Sequence, residues 1–455
     1  ITLGASGDSI ALASGASQTG FGRTGTVDWI TTPKVTGDSP VTGESGKGYF
    51  MNTTAGAITL NLPAGVAGAI VSVADYAGTF QTNNLTISPN GSEKIGGLNI
   101  DVTLNTEGQS VTLVFVDSTQ GWVTTADSTE NVVGNAFICA SVSGACNTLA
   151  TAPCCANVKI ATFTGPGTFT VNRAATCATN NTISYLVVGG GGGGGRACAG
   201  GGGGAGGFRE VKSPAATGYT ASPLDGYSTP ANRIVFTGPG AFPITVGAGG
   251  AGSTSIPVPG ASGVNSVIAA TTTITGAGGG GGGGAGTGCN PAGGQPGGSA
   301  GGGRGATAPS GTGGTGNTPP TSPSQGNNGG TGASGSGGYQ ETAAGGGGAG
   351  AVGVNASPGG NAGGGAGGAG VATSITSSSV TYSGGGGGGT GGNSGPAIGP
   401  GGAGGGGAGG NCQQGIAATV GTINTGGGGG GSGGTSPGKA KAGGSGIVII
   451  RYKFQ

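Results

Sequence analysis

The sequence predicts an all-β protein carrying a lattice of glycine rods: a turn-rich stalk, a small β-sandwich-like domain, and a rod tip clamped by short β-strands. Three observations predict it. Uninterrupted glycine returns at residues 189–195, 200–204, 278–284, 345–348, 384–389 and 426–431, and the four longest runs are six or seven residues each. Apolar, alternating strand-like stretches interrupt the runs at residues 183–188, 234–246, 374–382 and 447–454. No amphipathic helical pattern follows any run, and turn residues punctuate the chain before them.

Glycine loses more backbone freedom on folding than any other residue, so a run by itself makes a flexible linker. The intervening strands and matched run lengths argue for order. A seven-residue run in polyproline II geometry has three residues per turn and spans ~20 Å. Without Cβ atoms such rods approach closely, pair N–H with C=O between neighbours, and gain weak Cα–H···O contacts. A run position that faces another rod has no room for alanine, whereas one that faces solvent is expected to accept it.

Residues 1–45 are short-period and turn-rich, which suits a stalk in which several chains share one interior. Residues 46–127 change to ordinary β structure, with strands expected at 49–52, 57–62, 69–74, 85–88, 100–104, 110–116 and 122–124. Short strands at this spacing read as a sandwich or barrel, with Tyr49 and Trp122 in its core. Residues 128–158 are polar and cysteine-rich, a connector. From 159 to 455 runs the glycine-rich domain with its β base. It opens on an expected hairpin, 160–163 and 168–171 around Gly165-Pro166-Gly167, and the same phrase returns at 236–242. In the last strand Val448, Ile450, Tyr452 and Phe454 share one face, expected to be core, and Ile447, Ile449, Arg451 and Lys453 the other. Strands 183–188 and 447–454 begin and end the glycine region, so pairing them clamps both ends of the lattice.

Of 455 residues, 122 are glycine and 6% are charged, with a net charge of +1. No basic face is available for nucleic acid or an anionic membrane, and no apolar stretch is long enough to span a bilayer. Ile1 stands where a start methionine is expected, which predicts a trimmed or processed beginning. Histidine is absent, which removes histidine triads, bases and metal ligands. Gly-x-Gly-x-x-Gly matches occur by accident in such runs, and a dinucleotide site also needs a following helix. Acids are sparse; Asp75, Asp101 and Asp117 read as turn and surface residues rather than a catalytic carboxylate pair. Neither catalysis nor a cofactor is expected.

Eight cysteines are present: Cys139, Cys146, Cys154, Cys155, Cys177 and Cys198 cluster at the domain junction, with Cys289 and Cys412 farther on. The even, clustered count predicts disulfides of open connectivity and an extracellular setting. A zinc site is disfavoured because no Cys-x-x-Cys pair occurs. Loops on a rigid scaffold are where recognition sits. The candidates are Tyr219 and Tyr227 in residues 208–232, Asn317, Gln325, Asn327 and Tyr339 in 307–340, and Gln413 and Gln414 in 411–424. Segment 307–340 is the first choice, placed at the end of the lattice away from the β base.

Three phrases carry a resemblance: Ile183-Ser184-Tyr185-Leu186-Val187-Val188 running into the first glycine run, Ile244-Thr245-Val246-Gly247-Ala248-Gly249-Gly250, and Gly443-Gly444-Ser445-Gly446-Ile447-Val448-Ile449-Ile450-Arg451-Tyr452. They resemble the glycine-rich domain of tailed-phage tail fibres and adhesins. The stretch from Gly48-Tyr49-Phe50-Met51-Asn52-Thr53 through Gly121-Trp122 resembles a β domain of marine-phage tail fibres. The resemblance implies a stack of polyglycine II helices whose loops at one end meet a host receptor, either a glycan or an outer-membrane protein. It further implies a structural subunit of a virion tail fibre that joins other tail proteins, and the eight cysteines and stalk-like start, which depart from the family's separate monomeric tip, favour a homotrimer. A non-viral secreted or cell-surface adhesin, or an ice-binding protein with a flat rod face, is the alternative.

Overall fold

The computed structural model describes residues 27–128, 137–175, 178–255, 258–284, 293–306, 309–334, 341–358, 363–391, 397–411, 413–434 and 439–454. Among them regular structure is β-strand, apart from three short 3-10 turns. The chain divides into two compact units, 1–133 and 134–455.

The first unit is built from β1 (Asp28–Val35), β2 (Val41–Thr42), β3 (Lys47–Asn52), β4 (Ile58–Asn61), β5 (Ile70–Asp75), β6 (Leu85–Ser88), β7 (Val102–Leu104), β8 (Ser110–Asp117) and β9 (Gly121–Ser128). Two sheets, β1-β3-β5-β8-β9 and β2-β4-β6-β7, share one core. Successive strands from β1 to β6 alternate between the sheets, so β1, β3 and β5 run parallel, as do β2, β4 and β6. Parallel neighbours need a crossover, and here each crossover is itself a strand of the facing sheet. Identical registers then stack like on like: Val41 on Leu60 on Ile87, and Ile58 on Leu85 on Leu104. Trp122 is fully buried, donates Nε1–H to Glu93 Oε2 at 3.2 Å and meets Phe115 edge-on. Asp75 and Asp117 accept backbone N–H groups within their own turns, as structural acids do.

The expected boundary at residue 45 moves. β1 and β2 belong to this domain, because Val41 lies in the core and Ile30 packs against it. The rest of the expected stalk, residues 1–26, lies outside the described residues.

The second unit contains β10 (Cys139–Ser143), β11 (Thr148–Ala152), β12 (Cys155–Phe163), β13 (Gly167–Arg173), β14 (Ser184–Val188), β15 (Phe208–Val211), β16 (Gly240–Thr245), β17 (Ser266–Ala269), β18 (Thr273–Gly276), β19 (Val371–Thr373), β20 (Val380–Tyr382) and β21 (Ile447–Lys453). Sheet β10-β13-β16-β17-β18 faces sheet β11-β12-β21-β14-β15 across a core that includes Phe163, Phe169, Phe236, Tyr185, Ile450 and Tyr452. Of the expected connector, β10, β11 and the start of β12 are strands of this base, while residues 129–136 lie outside the described residues. β12 and β13 do not form a hairpin. Their Gly165-Pro166-Gly167 corner carries the chain from one sheet to the other, since β12 pairs with β11 and β21 while β13 pairs with β10 and β16. The repeated phrase at 236–242 likewise leads into β16 without closing a hairpin.

β14 pairs antiparallel with β21 along its whole length, Ser184 opposite Arg451 and Val188 opposite Ile447, as the ends of the glycine region were expected to do. β21 is buried on both faces. Val448, Ile450 and Tyr452 enter the core between the sheets, while Ile447 and Ile449 join a second cluster with Leu186, Phe208, Tyr219, Ile375 and Tyr382. A strand covered on both sides reads as a continuous apolar run, which is what Ile447-Val448-Ile449-Ile450 is.

Beyond the sheets, bonds between backbone groups hold most of each glycine run, with side chains joining at a few points such as Asn265 Oδ1 on the Gly278 N–H and Thr425 Oγ1 on the Gly427 N–H. In 189–195 the donors cycle with a period of three. Gly189, Gly192 and Gly195 donate to Gly207, Gly204 and Gly201; Gly190 and Gly193 to Val264 and Ala261; Gly191 and Gly194 to Gly444 and Lys441. The carbonyls cycle too, accepting from Gly279 and Gly282, from Gly250 and Ser253, and from Gly429 and Ser432. One run thus touches six neighbouring segments, giving to three and taking from three. The segment 200–207 is placed in the same way, and it bonds antiparallel to 426–432 but parallel to 344–347. Every residue of 189–195 and 278–284 is buried. A Cβ at Gly278, Gly279, Gly280, Gly281, Gly282 or Gly284 would come within 3.0 Å of a backbone oxygen. The expected solvent-facing, alanine-tolerant positions are therefore not found at those six places.

Candidate functional site

The registers give the lattice two ends. At the base end, β14 runs into 189–195, 200–207 runs into β15, and 278–284 leaves β18. The bonds Gly195 to Gly201, Gly200 to Ser432, Gly201 to Gly283, Gly283 to Gly302, Gly202 to Ala344 and Gly389 to Gly200 place all of those residues at the opposite end. Single-residue β-bridges stitch the segments beyond them into a rim: Ala199 with Gly305, Ala306 with Ser334, Ala333 with Thr342, Thr342 with Thr390, Thr390 with Asn411, and Asn411 with Ile416.

The rim carries the side chains that the runs lack. Arg196 donates from Nη1 to the carbonyl of Thr254, and Arg304 from Nε to the carbonyl of Gly305 at 3.1 Å. Glu341 is half-buried, and that burial pushes its carboxyl up from the usual range, against the opposing pull of Arg304. Asn411 is buried; its Oδ1 accepts N–H bonds from Gln413 at 3.0 Å and Gln414 at 3.2 Å, while its backbone exchanges bonds with Ile416. The effect is a closed polar loop that holds Gln413 and Gln414 outward, both exposed. Paired amides on a fixed backbone offer donors and acceptors at set spacing, suited to hydroxyl-rich or peptide surfaces.

Other candidates lie at the base end. Gln325 is fully buried: its Oε1 accepts the N–H of Ala277 at 2.9 Å and its Nε2 donates to the carbonyl of Pro319 at 2.7 Å. Asn317 Oδ1 accepts N–H bonds from Thr321 and Gln325, and Asn327 Nδ2 donates to the carbonyls of Gly348 and Ala349. Asn317 ties the loop to itself while Gln325 and Asn327 hold it against neighbouring segments, so the middle of 307–340 returns to the base instead of standing free at the far end. Tyr219 is buried in the second cluster, with its OH on the carbonyl of Val211. Tyr227 stacks on Arg233 and lines an open cleft of about 580 Å³ with Asn157, Asn180 and Lys453. Tyr339 lies outside the described residues. Of the amide and aromatic candidates described, then, Gln413 and Gln414 stand on the rim and Tyr227 lines a cleft at the base.

Arg196, Arg304, Glu341 and Asn411 were not singled out from sequence. A signal was available in three cases: Arg196, Arg304 and Asn411 are each the first residue after a glycine stretch, and a lattice must end where side chains begin. The expected disulfides are not found among Cys139, Cys146, Cys154 and Cys155, which are free thiols. Cys177, Cys289 and Cys412 lie outside the described residues.

A sandwich that anchors a backbone-bonded glycine array defines the class of protein. Residues 163–453 match the family described as Glycine-rich domain, and the chain belongs to that family. No curated protein matches the chain.

Proposed function

We propose that the chain is a structural and receptor-binding protein, a tail-fibre subunit that attaches a phage to its host surface. In this reading the runs are polyglycine II rods, the sandwich is their anchor, and the rim opposite the anchor meets the receptor. The observation that carries it is the six-neighbour, period-three bonding of 189–195, which suits a three-residue-per-turn rod and makes a stiff platform out of residues with no side chains. The polar loops are then the only part free to vary without disturbing the platform. The fibre in this reading is a homotrimer that joins other tail proteins. A secreted adhesin would use the same rim.

The test is binding of the labelled full chain to host cells or purified surface glycans and outer-membrane proteins. Gln413→Ala with Gln414→Ala should lower binding at least about tenfold with an unchanged melting temperature, the loss of two hydrogen bonds at ~1 kcal/mol each. Unchanged binding would remove recognition from this loop. Loss caused instead by Tyr227→Ala would move it to the base cleft. Labelling of virions with an antibody to the chain separates tail fibre from secreted adhesin.

A further inference from the structure

The turn between β11 and β12 holds an arrangement that attachment does not use. Pro153 and Cys154 form the turn, and Ala152 faces Cys155 across the hairpin. Cys154 is exposed and Cys155 half-exposed, and their sulfurs lie 2.9 Å apart. Beneath them sits Arg451, fully buried in β21. Its Nη2 donates to Cys154 Sγ at 3.3 Å, to Cys155 Sγ at 3.7 Å and to the carbonyl of Thr217 at 2.9 Å; its Nη1 donates to the carbonyl of Ile375 and to Ser377 Oγ.

A buried guanidinium ordinarily has an anionic partner, because an unpaired buried charge is costly. Among the described residues no carboxylate forms an ion pair with Arg451. The acidic groups that its Nη2 reaches are the two thiols, and the Tyr219 ring lies against the guanidinium, 5.1 Å from Cζ to the ring centroid. Other groups round the pair are uncharged: Ser377 Oγ lies 3.3 Å from Cys154 Sγ, and the carbonyl of Gly218 at 3.1 Å. Gly218 has φ +82°, and a Cβ there would collide with Cys155 Sγ, so the chain bends to make room for the second sulfur. Hydrogen bonds from Cys155, Ser377 and Arg451 to Cys154 bring that thiol down to about 7. The Cys155 thiol is pushed up, chiefly by the same contact with Cys154.

We propose that Cys154 and Cys155 are a redox-active vicinal dithiol, with Cys154 the attacking thiolate, Cys155 the resolving thiol and Arg451 the positioning cation. The co-reactant is a small-molecule disulfide. The Cys154 thiolate attacks one of its sulfurs and expels the other half as a thiolate, leaving a mixed disulfide on Cys154. Cys155 then loses its proton, attacks Cys154 Sγ and expels the second half, closing a Cys154–Cys155 bond. The protein gives up two electrons and two protons, and the small disulfide becomes two thiols. Neighbouring Cα atoms are ~3.8 Å apart, below the ~4.4–6.8 Å that disulfides usually span, so the closed ring is strained and readily reduced. Strained, exposed bonds are the labile, regulatory kind.

The experiment exposes the folded full chain to oxidised glutathione and maps each cysteine by proteolysis and mass spectrometry. Wild type should yield the 154–155 peptide lacking two hydrogens, with little adduct, and a thiol reductant should restore it. Cys155→Ser should stop at a stable glutathione adduct on Cys154. Cys154→Ser should react at position 155 at least about tenfold more slowly, because the thiolate fraction sets the rate. Ser377→Ala, which leaves the guanidinium in place, should slow attack and move its pH midpoint upward. A wild-type chain that carries adducts on both cysteines, that does not react at residues 154 and 155, or whose rate is unaltered by Cys154→Ser would overturn the proposal. Circular dichroism of each variant separates a chemical effect from a folding one.

Discussion

At the scale of the residue, what matters is whether a Cβ has anywhere to go. One added at Gly192 would collide with the carbonyl of Gly280, inside a run whose six neighbours are all backbone. Backbone cannot turn aside as a side chain does, so Gly192→Ala should cost more than about 3 kcal/mol, the upper range of ordinary overpacking. Gly238 has nothing within 4 Å of its would-be Cβ and no positive φ. Gly238→Ala should be neutral or stabilise by about 0.5 kcal/mol through the unfolded chain. Paired thermal melts decide; equal melting temperatures for the two variants would show that the runs are not packed. Glu210 is another residue-scale case. It is buried, accepts bonds from the Ser222 N–H and the Thr373 hydroxyl, and is held above the ordinary carboxylate value of 4.5 chiefly by burial. An acid whose pKa rises on folding binds its proton more tightly when folded. Its stabilising effect is therefore full below the unfolded value and lost as pH rises through the folded one. Relative to Glu210→Gln, wild type should gain stability as pH is lowered from 7 to 4.5 in urea titrations, and a gap independent of pH would contradict this.

Elements differ in how plainly they announce themselves. β14 and β21 were legible because their apolar runs are long and flank the glycine region, and their pairing followed from that placement. β11 was not, for it is an edge strand with only Ala152 buried, and Thr148-Leu149-Ala150-Thr151-Ala152 shows no alternation against a core. The Gly165-Pro166-Gly167 corner misled for a related reason: the residues that close a hairpin are also those that let a chain change sheets. The partner is chosen by Phe163 and Phe169, which enter one core from opposite sheets. Gln325 shows the same limit within the candidate site. Nothing in a polar loop tells a buried amide from an exposed one until the N–H it satisfies, that of Ala277, is in view. The prediction at this scale concerns β21. Ile450 is fully buried opposite Ala161 and Tyr185, so Ile450→Asp should destabilise by more than about 4 kcal/mol and shift the urea midpoint sharply. An unmoved midpoint would mean that the strand is open to water.

For the whole molecule, the six-neighbour array changes the thermodynamics of unfolding. An ordinary domain opens apolar side chains to water, which raises its heat capacity; opening peptide groups lowers it. Here 122 of 455 residues are glycine, and the array buries peptide where other folds bury leucine. Scanning calorimetry should therefore find a heat-capacity increment per residue clearly below the usual value of about 12–15 cal/mol/K, and a value in that range would contradict the expectation. Curvature of stability with temperature is set by that increment. A chain with a small one follows a nearly straight line, its margin zero at the melting point and still growing as it cools, so this molecule should be firmest near freezing, where ordinary domains have begun to weaken.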